Sequence, residues 1–84
     1  MEIYNLYSIK DKFTGFMNPA IGANDDSAKR DFSFAINNNP GVMNFFPADY
    51  DLYRIGEFNK ETGVLIQNEI PQFICNGLEV MNEK

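Results

Sequence analysis

The chain has 84 residues, 44% of them hydrophobic, a formal net charge of −5, and neither histidine nor tryptophan. That size supports one small domain, burying about 60–65% of its unfolded surface, and the apolar content excludes a disordered chain. The acidic balance excludes nucleic-acid binding by bulk charge. The lack of histidine removes the commonest general base and metal ligand, and a single cysteine, Cys75, excludes an internal disulfide.

Residues 2–9, EIYNLYSI, place large apolar groups on both faces of an expected strand. DKFTG, residues 11–15, follows as a turn. Asp11 is suited to accept backbone hydrogen bonds at its start and Gly15 to take positive φ at its end. A second strand is expected over about residues 15–21, with Pro19 marking an edge or a bulge.

Residues 24–38 predict the one helix. Asn24 is the first choice for N-cap, with Asp25 and Asp26 as alternatives, and Ala28, Phe32, Ala35 and Ile36 form a narrow apolar stripe. The run 37–41, NNNPG, stops the helix. In residues 42–51 a short helical turn or a packed loop is expected, with Phe45 and Phe46 closing one end of the core. A third strand then spans about 51–58.

NKETG, residues 59–63, repeats the D/N-K-x-T-G pattern of the first turn and leads into a fourth strand over about 63–67. Pro71 is expected to break that strand. Residues 68–84 are expected to form a tail or a short extra strand, fraying over the last four, MNEK.

The fold expected is therefore α+β, ββαββ: a single domain, residues 1–84 with a core of about 2–67, and one helix packed on one face of an antiparallel sheet of about four strands. One helix covers only part of such a sheet, and Tyr4, Leu6, Tyr53 and Ile55 make a fully polar second face hard to draw. A homodimer, joined sheet to sheet, would cover it. No stretch reaches the ~20 apolar residues of a membrane span, and no basic segment leads into an apolar run at the start, so a soluble chain is expected.

Chemistry is sparse. Cys75 has no histidine to activate it and reads as a small buried hydrophobe. Asp25-Asp26 and Asp49-x-Asp51 lack the spacing of a calcium loop and suit dipole and turn roles. No glycine-rich phosphate loop is present. The expectation is no catalytic residue, no metal, no cofactor and no small-molecule substrate.

For nucleic acid, the candidates are Lys29, Arg30 and Phe34 on a flank of the helix, where a ring beside cations can stack on a base. Lys12 and Lys60 in the two hairpin tips would assist if the tips share one end of the sheet. Arg54, inside an apolar strand, reads as an edge residue, an ion-pair partner or a ligand contact.

IYNLYSIKDKFTG, NDDSAKRDFSFAINN and above all FPADYDLYRIGEFNKETG together resemble the small nonstructural protein of gokushovirus-type microviruses, over about residues 3–67. The resemblance implies a bacteriophage protein made in the cytoplasm of the infected bacterium and left out of the virion. It further implies a nonenzymatic role in viral DNA replication or in the switch to single-stranded DNA synthesis, through single-stranded DNA or a replication protein. The alternative is an acidic protein-interaction module that modulates a host factor without touching DNA.

Overall fold

The computed structural model describes residues 3–38 and 41–81. In chain order these form β1 (Ile3–Asp11), β2 (Gly15–Phe16), β3 (Ala20–Gly22), α1 (Asp25–Asn38), a helical turn α2 (Val42–Phe45), a 3-10 turn (Pro47–Asp49), β4 (Tyr50–Asn59), β5 (Leu65–Asn76) and a helical turn α3 (Gly77–Val80). The strands make one antiparallel sheet in the order β2-β1-β4-β5, with β3 also paired to β1. This is the α+β arrangement expected, with α1 packed against one face. Glu2, Asn39, Pro40 and residues 82–84 lie outside the described residues, and with them part of the first strand, of the helix stop and of the expected fraying.

Both D/N-K-x-T-G segments are turns, built as their residue types require. The Asp11 carboxylate accepts the Phe13 N–H at 2.9 Å, and the Asn59 side chain accepts the N–H groups of Glu61 and Thr62 at 2.8 and 3.1 Å. Gly15 and Gly63 close them with φ of 95° and 77°, which other residues adopt only under strain.

The helix begins as its sequence dictates. Asn24 accepts the Ser27 N–H at 2.8 Å, and Asp25 and Asp26 occupy the first turn, where negative charge is favoured. Ala28, Phe32 and Ile36 are buried from that helix, against Tyr7 of β1, Tyr50 and Leu52 of β4, Cys75 of β5 and Met43 of α2, with Ala35 partly buried beside them. Burying a ring such as Phe32 contributes roughly 1.5–3 kcal/mol.

The structure corrects the sequence reading in three places. The second strand is split. Pro19, with no N–H to give, falls in the gap between β2 and β3, and the Ser8 hydroxyl donates to the Met17 carbonyl at 2.6 Å across it. Pro71 does not end the fourth strand. β5 is an edge strand, where a missing N–H costs no ladder bond, and a register shift opposite Arg54–Gly56 accommodates residues 68–71.

Phe45 and Phe46 do not close the core. They are 76% and 59% exposed, and Met43 and Pro47 are buried instead. Residues 68–76, left open between a tail and a short strand, continue β5 as far as Asn76. Cys75 reaches the core, and Asn76 caps α3 in a reciprocal capping box with Glu79. The Val80 carbonyl accepts from Ser33 at 3.1 Å and Asn37 at 2.9 Å, tying α3 to α1.

Candidate functional site

The ladder register decides where the candidate cations stand. Ile3 pairs with Asn59 and Asp11 with Tyr50, so the turn bearing Lys12 and the turn bearing Lys60 lie at opposite ends of the β1–β4 ladder. Eight residue steps at about 3.3 Å separate them by about 25 Å. The expectation that both tips flank one groove is thereby overturned, because antiparallel pairing of β1 with β4 sends the two hairpins in opposite directions.

Lys29, Arg30 and Phe34 lie together on α1, and Phe34 is 69% exposed. Asp26 stands one turn before Arg30 and Asp31 lies next to it, so the helix flank is charge-balanced rather than cationic. Asp25 has a structural partner. Its carboxylate meets the Arg54 guanidinium at 2.9 Å and accepts the Tyr7 hydroxyl at 2.6 Å, while Asn5 donates to that hydroxyl at 3.0 Å. Arg54 is thus an ion-pair partner on the helix side. Burial and the Asp25 hydrogen bond push the Tyr7 hydroxyl up to about 12.

The other sheet face carries the feature that sequence reasoning missed. Phe16, Tyr53 and Phe73 form a ladder of rings across β2, β4 and β5, edge to face, with centroids 5.3 and 5.8 Å apart. The Lys10 ammonium stands 5.5 Å from the Phe16 centroid, and at the far end of β1 the Lys60 ammonium stands 4.8 Å from that of Tyr4.

Between them runs an open groove of about 490 Å³, lined by Leu6, Phe16, Ile55, Leu65, Ile66, Gln67, Asn68 and Pro71. Phe16 and Phe73 remain about half exposed. Asp51 lies across the ladder from Lys10, and its carboxylate accepts from Asn76 at 2.7 Å. The face thus combines partly exposed aromatic rings with a cation at each end.

Tyr4, Leu6, Tyr53 and Ile55 are the signal that the sequence held, at alternate positions in two strands. Phe73 was hidden because Pro71 reads as a strand stop, and Phe16 because only the register brings it beside Tyr53.

A second cavity, about 130 Å³, lies between β3 and α1 and is lined by core residues such as Tyr7, Ala28, Phe32 and Leu52. Cys75 packs in the core, and burial, with Glu79 nearby, pushes its thiol up to about 11. Among the described residues, no three His, Cys, Asp or Glu side chains gather as metal ligands. No helix there is long and apolar enough to cross a membrane.

The Phage ORF5 protein family model matches residues 4–80. The chain belongs to that family. It is therefore a bacteriophage protein, and the match runs through α3, beyond the residues on which the resemblance rested. No curated protein and no solved structure matches the chain.

Proposed function

We propose that this Phage ORF5 family protein is a nonenzymatic accessory protein that binds DNA during viral DNA replication or the switch to single-stranded DNA synthesis. In this reading it comes from a gokushovirus-type microvirus, works in the cytoplasm of the infected bacterium, and is left out of the virion. The observation that carries the reading is the uncovered sheet face, where rings and lysines stand together on a chain whose net charge is negative. An acidic protein that binds phosphate chains needs such a local arrangement, since its overall charge repels them.

Fluorescence anisotropy of a labelled oligonucleotide, titrated with the full chain at low salt, tests it. A rise in anisotropy that reverses as salt is added supports DNA binding. No rise at any protein concentration up to tens of micromolar removes it.

A second reading has its own observation. Phe45 and Phe46 present a separate exposed aromatic pair at the α2 end, as in surfaces that dock on proteins. In that reading the protein modulates a host or replication protein. The homodimer expected from the sequence, joined sheet to sheet, would instead cover the ringed face and compete with DNA for it. Light scattering reads the dimer directly: a monomer at tens of micromolar argues against it.

A further inference from the structure

We infer that the ligand of the open sheet face is single-stranded DNA, with bases laid on the Phe16–Tyr53–Phe73 ladder and phosphates held by Lys10 and Lys60. This inference rests on the DNA-binding reading and specifies its site. Base faces in a duplex are stacked on one another and unavailable to protein rings, whereas those of a single strand are free to stack on aromatic side chains.

Tyr53 meets Phe16 and Phe73 edge to face, at interplanar angles of 71° and 77°, so the rings offer separate faces to successive bases and not one plane, and the apolar groove lined by Leu6, Ile55, Leu65 and Ile66 continues the row toward Tyr4. From Tyr4 to Lys10 is six residues of β1, about 20 Å. That span fits a short site, at the lower end of the roughly 4–16 nucleotides per domain found for single-strand binders built on β-barrels.

A second copy suits this face less well, because an isologous contact buries Lys10 and Lys60 of both chains in one interface. DNA satisfies the same lysines with phosphate. Asp51, beside Lys10, limits the charge at that end, so stacking supplies most of the affinity and the salt dependence is shallow. Two lysine–phosphate contacts give a slope of about −1.4 in log K against log salt.

The chemistry is tolerant of sequence, since every base offers a flat face. Tyr53 is central, touching both other rings, and it anchors the strand.

The experiment measures binding of the full chain to labelled oligo-dT of increasing length, to a duplex of the same length and to oligo-rU. Tyr53→Leu keeps the apolar bulk and removes the ring. Phe73→Leu is the second ladder variant, and circular dichroism confirms that each is folded. Expected are a plateau in affinity near four nucleotides, weaker duplex binding, and a loss of about 5- to 150-fold in each ladder variant.

Lys60→Gln is expected to flatten the salt slope by about 0.7. A triple variant, Lys29→Gln, Arg30→Gln and Phe34→Ala, should bind like the parent. If the triple variant loses binding and folded ladder variants keep it, the platform is overturned while DNA binding stands. Duplex binding as tight as single-strand binding overturns stacking, and equal binding of oligo-rU overturns the choice of DNA. No binding to any oligonucleotide overturns both this inference and the reading beneath it.

Discussion

Replacing Gly77 by alanine separates local preference from packing. Gly77 is the first residue of α3 and is buried. In a helix alanine is favoured over glycine by up to about 1 kcal/mol, so local propensity predicts a more stable protein. The surroundings predict the reverse. A Cβ built on Gly77 falls on the carbonyl oxygen of Pro47, 2.9 Å from the Pro47 carbonyl carbon and 3.0 Å from Cδ1 of Ile36. Two of these are backbone atoms of the 3-10 turn, which cannot rotate aside. The methyl must therefore push α3 away from that turn, straining the bonds from Asn76 to the Ala48 and Tyr50 carbonyls.

Overpacking of this kind costs about 1–3 kcal/mol, and a lost hydrogen bond about 1 kcal/mol more. After subtracting the propensity gain, we expect a net loss of about 1–3 kcal/mol. For a domain this small each kcal/mol shifts Tm by roughly 4–8 °C, so Tm should fall by about 4–24 °C. Urea unfolding followed by circular dichroism and tyrosine fluorescence gives the free energy, and the m-value should not change. A Gly77→Ala protein as stable as the parent would refute the packing argument.

Asn76 supplies a related test. Its side chain accepts the Leu78 N–H at 2.9 Å while its amide donates to the Ala48 and Tyr50 carbonyls and to the Asp51 carboxylate. Aspartate is normally an equally good cap, yet Asn76→Asp turns those donors into acceptors facing acceptors. It should destabilise more than Asn76→Ala by about 1 kcal/mol at neutral pH, read by urea unfolding; equal stability would show that the amide contacts carry no weight.

Tyr7, whose hydroxyl is raised to about 12, binds a proton in the folded chain at pH values where an unfolded tyrosine, near 10, has lost it. Its contribution, about 2–3 kcal/mol, is complete below pH 10 and disappears as pH rises to about 12. Alkaline titration followed by circular dichroism should show stability falling across that window, and Tyr7→Phe should flatten the fall. A parent and variant that lose stability in parallel would contradict it.

At pH 8 a thiol near 11 is ionised roughly one part in a thousand, against roughly a quarter for an ordinary cysteine. Native Cys75 should therefore react with a thiol reagent at least a hundredfold more slowly than in urea, beyond any protection from burial. Rapid labelling of folded protein would mean that β5 opens readily.

What could be read from the sequence followed from local chemistry. The Asn24 cap, the Ala28–Phe32–Ile36 stripe and both Asx-and-glycine turns depend on residues close together in the chain, and each was legible. Errors arose where a distant partner overrides a local signal. Pro71 stops a strand only if its N–H is needed, and being at the sheet edge removed that need. Phe45 and Phe46 looked like core because they are large, but Met43 and Pro47 took the positions. Of the candidate site residues, Lys60 lies on the ringed face, beside Tyr4. Lys29, Arg30 and Phe34 lie on the helix. The ring ladder joins residues from three strands and depends on a register that no short stretch encodes.

The docking of α3 on α1 has a consequence for how the molecule comes into being. Tyr7, near the start of the chain, and Cys75, near its end, share one core, and the Val80 carbonyl completes the helix flank. A growing chain on the ribosome cannot close this core until Cys75 has emerged. β1, β4 and α1 must wait with apolar surface uncovered, a state prone to aggregation. Removing the residues from Cys75 onward would therefore withdraw the last piece that folding requires, and such a shortened chain should collect in the insoluble fraction instead of persisting as a smaller domain.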